Sequence, residues 1–494
     1  MLDKVITSLT ANYHKLSDRL VFIWLLVLSI LIRFPFFFRD YIDRDESTFI
    51  LVAQSWVEGH LPYTELWDLK PPLVYLFFAT IISIFGKSFI AIRAIGALGV
   101  AITAFFTYKI GKEISSVRMA FWAATASVYL LSLFGSLQGV MSEHLSMVFF
   151  MPGLFILIKY HSRRWFFIAG LLLGLSLMMK LNLAYAVLFI GGFFLLHGIK
   201  KGSLVKELWK LTFLATGVFL VIGVTILPYY YEGITHVWYN SVLLAPLEYS
   251  NMIRSSFFKL LPVCLLIGGF FFLCWKKKWL DYRNSSIQLL TLVIIGIVVS
   301  FLKSGKINGH YLMQVYPMIL LLVGIVLTNT IRYHKKYITF SIVLVLLLPL
   351  ESYREYVAVF KNYITHNTFY NGEGFTVPRY LKDHQLNTQD VLFFEYHIGY
   401  WILGKQPPTK AATHPSNICR DELYSLYDNP RNTSLEELQY LLNTLQPKTI
   451  ITRSNKPVFH KDFIAENKYV NQYLENHYEL EGSVDNAAIY RRLQ

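Results

Sequence analysis

Small groups of ionisable residues stand at the ends of long apolar stretches in this 494-residue chain. In order they are Asp43-Arg44-Asp45-Glu46, Asp68-Leu69-Lys70-Pro71-Pro72, Arg93, Glu143-His144, Lys180, and Lys303, Lys306 and His310-Tyr311. Charge beside a bilayer is costly and marks sites and pathways. A carboxylate there can take the proton of an attacking hydroxyl or amine. Shielded lysine and arginine groups can neutralise the charge that grows on a departing phosphate. Together they suit transfer of a sugar off a lipid-borne phosphate, with the lipid tail holding the donor at the membrane. A channel or transporter would instead scatter charge at mid-span. Each residue alone has a plainer reading. Arg33 and Lys180 fit snorkelling anchors, and Asp43 fits a solvated loop carboxylate. Lys70-Pro71-Pro72 fits a helix start, because proline suits the first turn. His144 and His310 fit packed or surface histidines. The chemical reading therefore rests on the constellation.

The elements that must position these groups are membrane helices. The residues are 54% hydrophobic and 16% charged, against about 25% charged in an ordinary soluble domain. The apolar residues come in blocks, which excludes a soluble enzyme, a disordered chain and a disulfide scaffold. A spanning helix needs about 20 mostly apolar residues. Such stretches fall at 20–38, 90–108, 119–137, 144–159, 165–179, 181–198, 209–230, 257–275, 286–302, 311–328 and 337–350. Pro72 to Phe85 is too short to cross comfortably and is expected to lie at the surface or enter partway. With the N-terminus inside, the lysine- and arginine-rich loops all fall on the cytoplasmic side. The net charge of +14 is then topological and implies no nucleic acid. The N-terminal stretch does not read as a cleavable signal. The three cysteines, Cys264, Cys274 and Cys419, form no CxxC pair.

The outer side then holds a first loop near 39–88, a loop at 232–256 and a polar tail from 351. Within the tail, Asp390–Tyr396 and Lys448–Thr452 read as strands. Ser434 with Glu437 reads as a capping box opening a helix over 435–445. The expectation is a polytopic α-helical membrane protein in two parts. Residues 1–350 form a bundle of about eleven spans whose first outer loop bears juxtamembrane helices. Residues 351–494 form a small extracytoplasmic α/β domain.

The order Asp45-Glu46, Gly59-His60-Leu61-Pro62-Tyr63, Lys70-Pro71-Pro72-Leu73, Phe85-Gly86 and Arg93 resembles the protein mannosyltransferase and aminoarabinose transferase group of GT-C membrane glycosyltransferases. Ser142-Glu143, Gly174 to Lys180, and Lys303 through Lys306 to His310-Tyr311 and Pro317 continue the likeness, which covers about residues 20 to 330 in motif order. The resemblance implies an inverting transfer from a polyprenyl-phosphate sugar at the non-cytoplasmic face of the plasma (inner) membrane. Asp45 would be the base, with Glu46 shaping the site and Glu143 a second carboxylate. Lys70, Arg93, Lys303, Lys306 and Tyr311 would hold the donor phosphate, and His144, Lys180 and His310 are candidates for its lining. Two positions depart from the aminoarabinose transferase pattern. Glu143 replaces an aspartate, and Leu69 replaces the glutamate before the lysine, which weakens the case for a divalent metal. The acceptor, whether lipid, glycan or protein, does not follow from the motifs. A non-catalytic transporter of lipid-linked sugars is the alternative, since the same cations could grip phosphate without chemistry. A polysaccharide polymerase or ligase fits less well, because loop 232–256 carries only Arg254 and His236 as basic groups of the type expected there.

Overall fold

The computed structural model describes residues 16–40, 42–252, 257–304, 308–330 and 347–493, with the backbone alone at 251–252, 257–260 and 304. Among them, six helices are long and apolar enough to cross a membrane: Asp18–Phe38, Phe89–Ile114, Ser142–Lys159, Leu181–Lys200, Leu204–Tyr231 and Ser285–Lys303. Helices also lie on the remaining expected spans up to 328, but Val117–Leu130 has 14 residues and Arg163–Leu177 and Tyr316–Thr330 have 15 each, short of the about 20 that a spanning helix needs. The stretch 337–350 lies outside the described residues before position 347. Pro72–Phe85 is a 14-residue helix. At 1.5 Å per residue it is about 21 Å long, short of a hydrocarbon core of about 30 Å.

The chain forms two compact units: Met1–Phe34, Arg93–Thr225 and Ile253–Glu355 in the first, and Pro35–Ile92, Ile226–Met252 and Tyr356–Gln494 in the second. The tail expected to stand apart as 351–494 thus clusters with the first outer loop and with residues 226–252.

In the first unit, Val21, Leu25, Leu28 and Ile32 recur at helical spacing and pack on Val100, Ala104 and Tyr108 and on Ala120, Ala124 and Val128. Glycine sets the closest crossing. Gly170 lies against the Leu214 backbone, and Gly217 against the backbone of Phe167, Gly170 and Leu171. A methyl group at either position would collide with main chain, so hydrogen is what lets these two helices approach. Without a hydrophobic drive between helices in lipid, such close packing supplies the attraction. Arg33 is 1% exposed. Its guanidinium donates to the carbonyls of Leu131 (3.2 Å), Leu137 (2.6 Å), Gln138 (3.2 Å) and Gly139 (2.6 Å). It is neither a snorkelling anchor nor a ligand, because its donors satisfy carbonyls where one helix ends and a 3₁₀ turn follows.

In the second unit, Asp43 caps the Arg44–Val57 helix by accepting from the Asp45 N–H at 2.9 Å. It is a cap rather than a solvated loop residue. This helix packs on Pro72–Phe85 through Phe49, whose ring lies 6.2 Å from Tyr75 and 5.8 Å from Phe78. The connection between them is ordered. Tyr63, at φ 75°, donates its hydroxyl to the Lys70 carbonyl at 2.6 Å, and the Trp67 indole donates to Ser241 Oγ at 2.9 Å. Four strands, β1 (Val391–Phe393), β2 (Thr449–Arg453), β3 (Tyr478–Val484) and β4 (Ala487–Arg492), form a sheet in the order β1-β2-β4-β3. β1 and β2 are parallel and the other pairings antiparallel. The helix expected at 435–445 begins one residue early, at Ser434. Thr433, not Ser434, accepts from the Glu436 N–H at 3.2 Å, and the Ser434 hydroxyl donates to Glu466 at 2.7 Å. Glu436 in turn accepts from the Asn432 N–H, so the cap moves to Thr433 and the return bond goes to the residue before it.

Candidate functional site

In the second unit the site grows from the first turn of the Arg44–Val57 helix. Lys70 Nζ lies 2.9 Å from Asp45 Oδ2 and 5.3 Å from the centre of the Phe49 ring. The pair is partly shielded, with side chains 13% and 25% exposed. His414, which sequence reasoning did not single out, places Nε2 3.5 Å from Asp45 Oδ1. Glu46 is buried.

Residues of the tail hold this turn in place. Glu395 is buried and pairs bidentately with Arg44, Nε to Oε1 at 2.8 Å and Nη2 to Oε2. Arg453 Nε reaches the same carboxylate at 3.1 Å. Two cations and a planar fork make an ion pair in the interior tolerable. Thr48 Oγ1 donates to the Arg44 carbonyl at 3.1 Å and meets His397 Nε2 at 2.9 Å.

Burial, with the nearby Arg44 charge adding to it, pushes the His397 pKa well below the usual imidazole range. The folded protein thus keeps His397 neutral at pH values where the unfolded chain, with an ordinary pKa of about 6.5, takes up a proton. Above that value the residue contributes no pH dependence; below it, stability falls by about 1.4 kcal/mol per pH unit. The thermal midpoint of wild type should therefore drop more steeply below about pH 6.5 than that of His397→Gln, and parallel curves would contradict the buried neutral imidazole.

The first unit has its own cluster. Glu143 opens the Ser142–Lys159 helix with its side chain 1% exposed. Lys180 Nζ lies 2.6 Å from Glu143 Oε1, and the Ser142 hydroxyl donates to Oε2 at 3.1 Å. His310 Nε2 stands 4.0 Å from Oε1. The Lys180 ammonium sits 4.8 Å from the Tyr311 ring centre, which stacks on Phe301. Paired amides fix the spacing: Asn182 and Gln314 exchange hydrogen bonds of 2.8 and 3.0 Å. They tie the turn after Lys180 to the Gly309–Gln314 turn that carries His310 and Tyr311.

The other expected residues behave differently. His144 accepts from the Met141 N–H through Nδ1 at 3.1 Å, and Nε2 meets the Leu131 carbonyl at 2.7 Å. Both nitrogens thus serve the backbone. Arg93 is buried in the Phe89–Ile114 helix. Lys303 is exposed at the end of the Ser285–Ser304 helix. Lys306 lies outside the described residues.

Residues 69–229 match a family model described as dolichyl-phosphate-mannose-protein mannosyltransferase (PMT_2). Among solved structures the chain is similar to ArnT from Cupriavidus metallidurans bound to undecaprenyl phosphate, with 13% identity and a TM-score of 0.59 over 94% of this chain and 97% of that one. The segment 69–229 thus resembles that mannosyltransferase family, and the chain has a fold similar to that of ArnT. The apo form of the same ArnT gives 13% identity and a TM-score of 0.59, covering 97% of this chain and 99% of the other. The oligosaccharyltransferase of Archaeoglobus fulgidus, tethered with an acceptor peptide, gives 12% identity and a TM-score of 0.48 over 97% and 74%. No curated protein matches the sequence. Lys70, Arg93, Glu143 and Lys180 fall inside the matched segment, and Asp45 and Glu46 precede it. Among the described residues, no group of three or more His, Cys, Asp or Glu that could hold a metal ion is present.

Proposed function

We propose that this protein is a GT-C glycosyltransferase that transfers a sugar from a polyprenyl-phosphate donor to an acceptor at the outer face of the plasma membrane, with inversion at the anomeric carbon. The observation that carries the reading is the Asp45–Lys70 pair, which sets a proton acceptor beside a phosphate-binding cation at one helix start. In the step, the acceptor's hydroxyl or amine attacks the anomeric carbon and gives its proton to Asp45. The bond from that carbon to the phosphate oxygen breaks, and polyprenyl phosphate leaves with the electron pair. Lys70 meets the charge that develops on it, as ammonium donors do in shielded sites. In the first unit, Glu143 holds Lys180 in position beside the Tyr311 ring. The chain crosses the membrane about eleven times, with its N-terminus cytoplasmic and its tail outside, as the lysine-rich loops require.

The direct test supplies purified protein in lipid with a polyprenyl-phosphate sugar and measures release of polyprenyl phosphate. Passage of the donor across proteoliposomes without product would move the reading to transport. Lys70→Ala removes a charge-assisted contact of about 1.5–3 kcal/mol. It should weaken binding of polyprenyl phosphate by roughly 10- to 100-fold, measured by titration. An unchanged affinity would take Lys70 out of the phosphate site.

A further inference from the structure

We infer that His414 is a positioning residue for Asp45, holding the base's carboxylate at a fixed rotation through a tautomer that its own neighbours impose. The inference rests on the reading of Asp45 as the base.

The argument begins at the far side of the ring. Nδ1 of His414 receives the Ser416 backbone N–H at 3.2 Å and meets the Ser416 hydroxyl at 2.7 Å. A backbone N–H can only donate, so Nδ1 must be an acceptor and the neutral ring carries its hydrogen on Nε2. Arg420 reinforces this arrangement. Its Nη2 donates to Ser416 Oγ at 2.9 Å and its Nη1 to Asn417 Oδ1 at 2.7 Å. With an arginine hydrogen already on the oxygen, the hydroxyl hydrogen is available for Nδ1. Nε2–H then faces Asp45 Oδ1 at 3.5 Å, a long contact of the kind that tightens once a substrate is bound. The imidazole is itself braced, with the His397 ring 5.9 Å away and its side chain 10% exposed.

Two consequences follow. With its hydrogen on Nε2, His414 cannot take the acceptor's proton, so it does not replace Asp45 as base. And the two carboxylate oxygens become inequivalent, Oδ2 held by Lys70 at 2.9 Å and Oδ1 facing His414 at 3.5 Å, to be held once that contact shortens. A carboxylate held at one oxygen can still swing about its terminal torsion. Held at both, it keeps one lone-pair direction for the incoming proton, and such orientation matters because small misplacements are costly to rate.

The experiment compares His414→Leu, His414→Gln and Asp45→Asn in the full-length protein, following turnover, affinity for polyprenyl phosphate and the thermal midpoint. Leucine fills similar space without a donor, whereas the glutamine amide can place an N–H near the position of Nε2. His414→Leu should lower kcat about 10- to 100-fold with donor affinity unchanged, and His414→Gln should recover most of that loss. Wild-type turnover in His414→Leu beside an inactive Asp45→Asn overturns this inference and leaves the base assignment standing. Equal losses in His414→Leu and His414→Gln overturn it as well, since a donor at that place would then not matter. Full activity in Asp45→Asn overturns the base assignment itself.

Discussion

Asp45→Asn is expected to reduce turnover by about 10²- to 10⁴-fold, the usual contribution of a positioned general base, while the protein remains folded. Asparagine has the shape of aspartate and cannot accept the proton. The local fold should survive, because the helix is capped by Asp43 and braced through Arg44, Thr48 and Glu395, not through Asp45. The lost ion pair is partly exposed, and such pairs contribute only about 0–1 kcal/mol. Release of polyprenyl phosphate and the thermal midpoint, measured on the same preparation, separate the two effects. Wild-type turnover in the asparagine variant would refute the assignment of the base.

Arg33→Met should cause the largest loss of stability. One guanidinium supplies donors to four carbonyls in the segment 131–139. Methionine keeps much of the volume and removes all of them. Each buried polar group left without a partner costs about 1–3 kcal/mol, so the sum is comparable to the 5–15 kcal/mol that holds a typical fold together. The variant should express poorly or unfold at much lower denaturant than wild type, and Arg33→Lys should fall between the two, since an ammonium cannot fork to four acceptors. Stability equal to wild type in Arg33→Met would show that those carbonyls find other donors.

Arg33 also marks where sequence reading stops. Its position at the end of an apolar block was plain, but its partners sit in a stretch read as part of one continuous span over 119–137. The helix there ends at Leu130, and a 3₁₀ turn, Gly135–Gln138, follows. Apolar composition is the same in both conformations, so it hides the break. Asp45 and Lys70 were legible because both lie where polar loop meets apolar helix, and Pro71-Pro72 announces the second helix. Glu143, Lys180, His310 and Tyr311 were legible through topology, which places helix ends on one side. His414, Glu395 and His397 were not. They come from a tail without membrane periodicity, and nothing in their local pattern records a contact with the first loop. His144 was legible as a position and misleading as a lining group, because its ring nitrogens cap the backbone.

The grip of Glu395, His397 and His414 on the opening of a single helix limits how this chain can diversify. A tail that bound a new acceptor could not be exchanged as a free cassette. Any graft would have to bring along the same three handholds, or the incoming module would arrive with its own surface intact and the Asp45 carboxylate adrift. New specificity is therefore more accessible through changes in surface turns of the tail than through wholesale replacement of it.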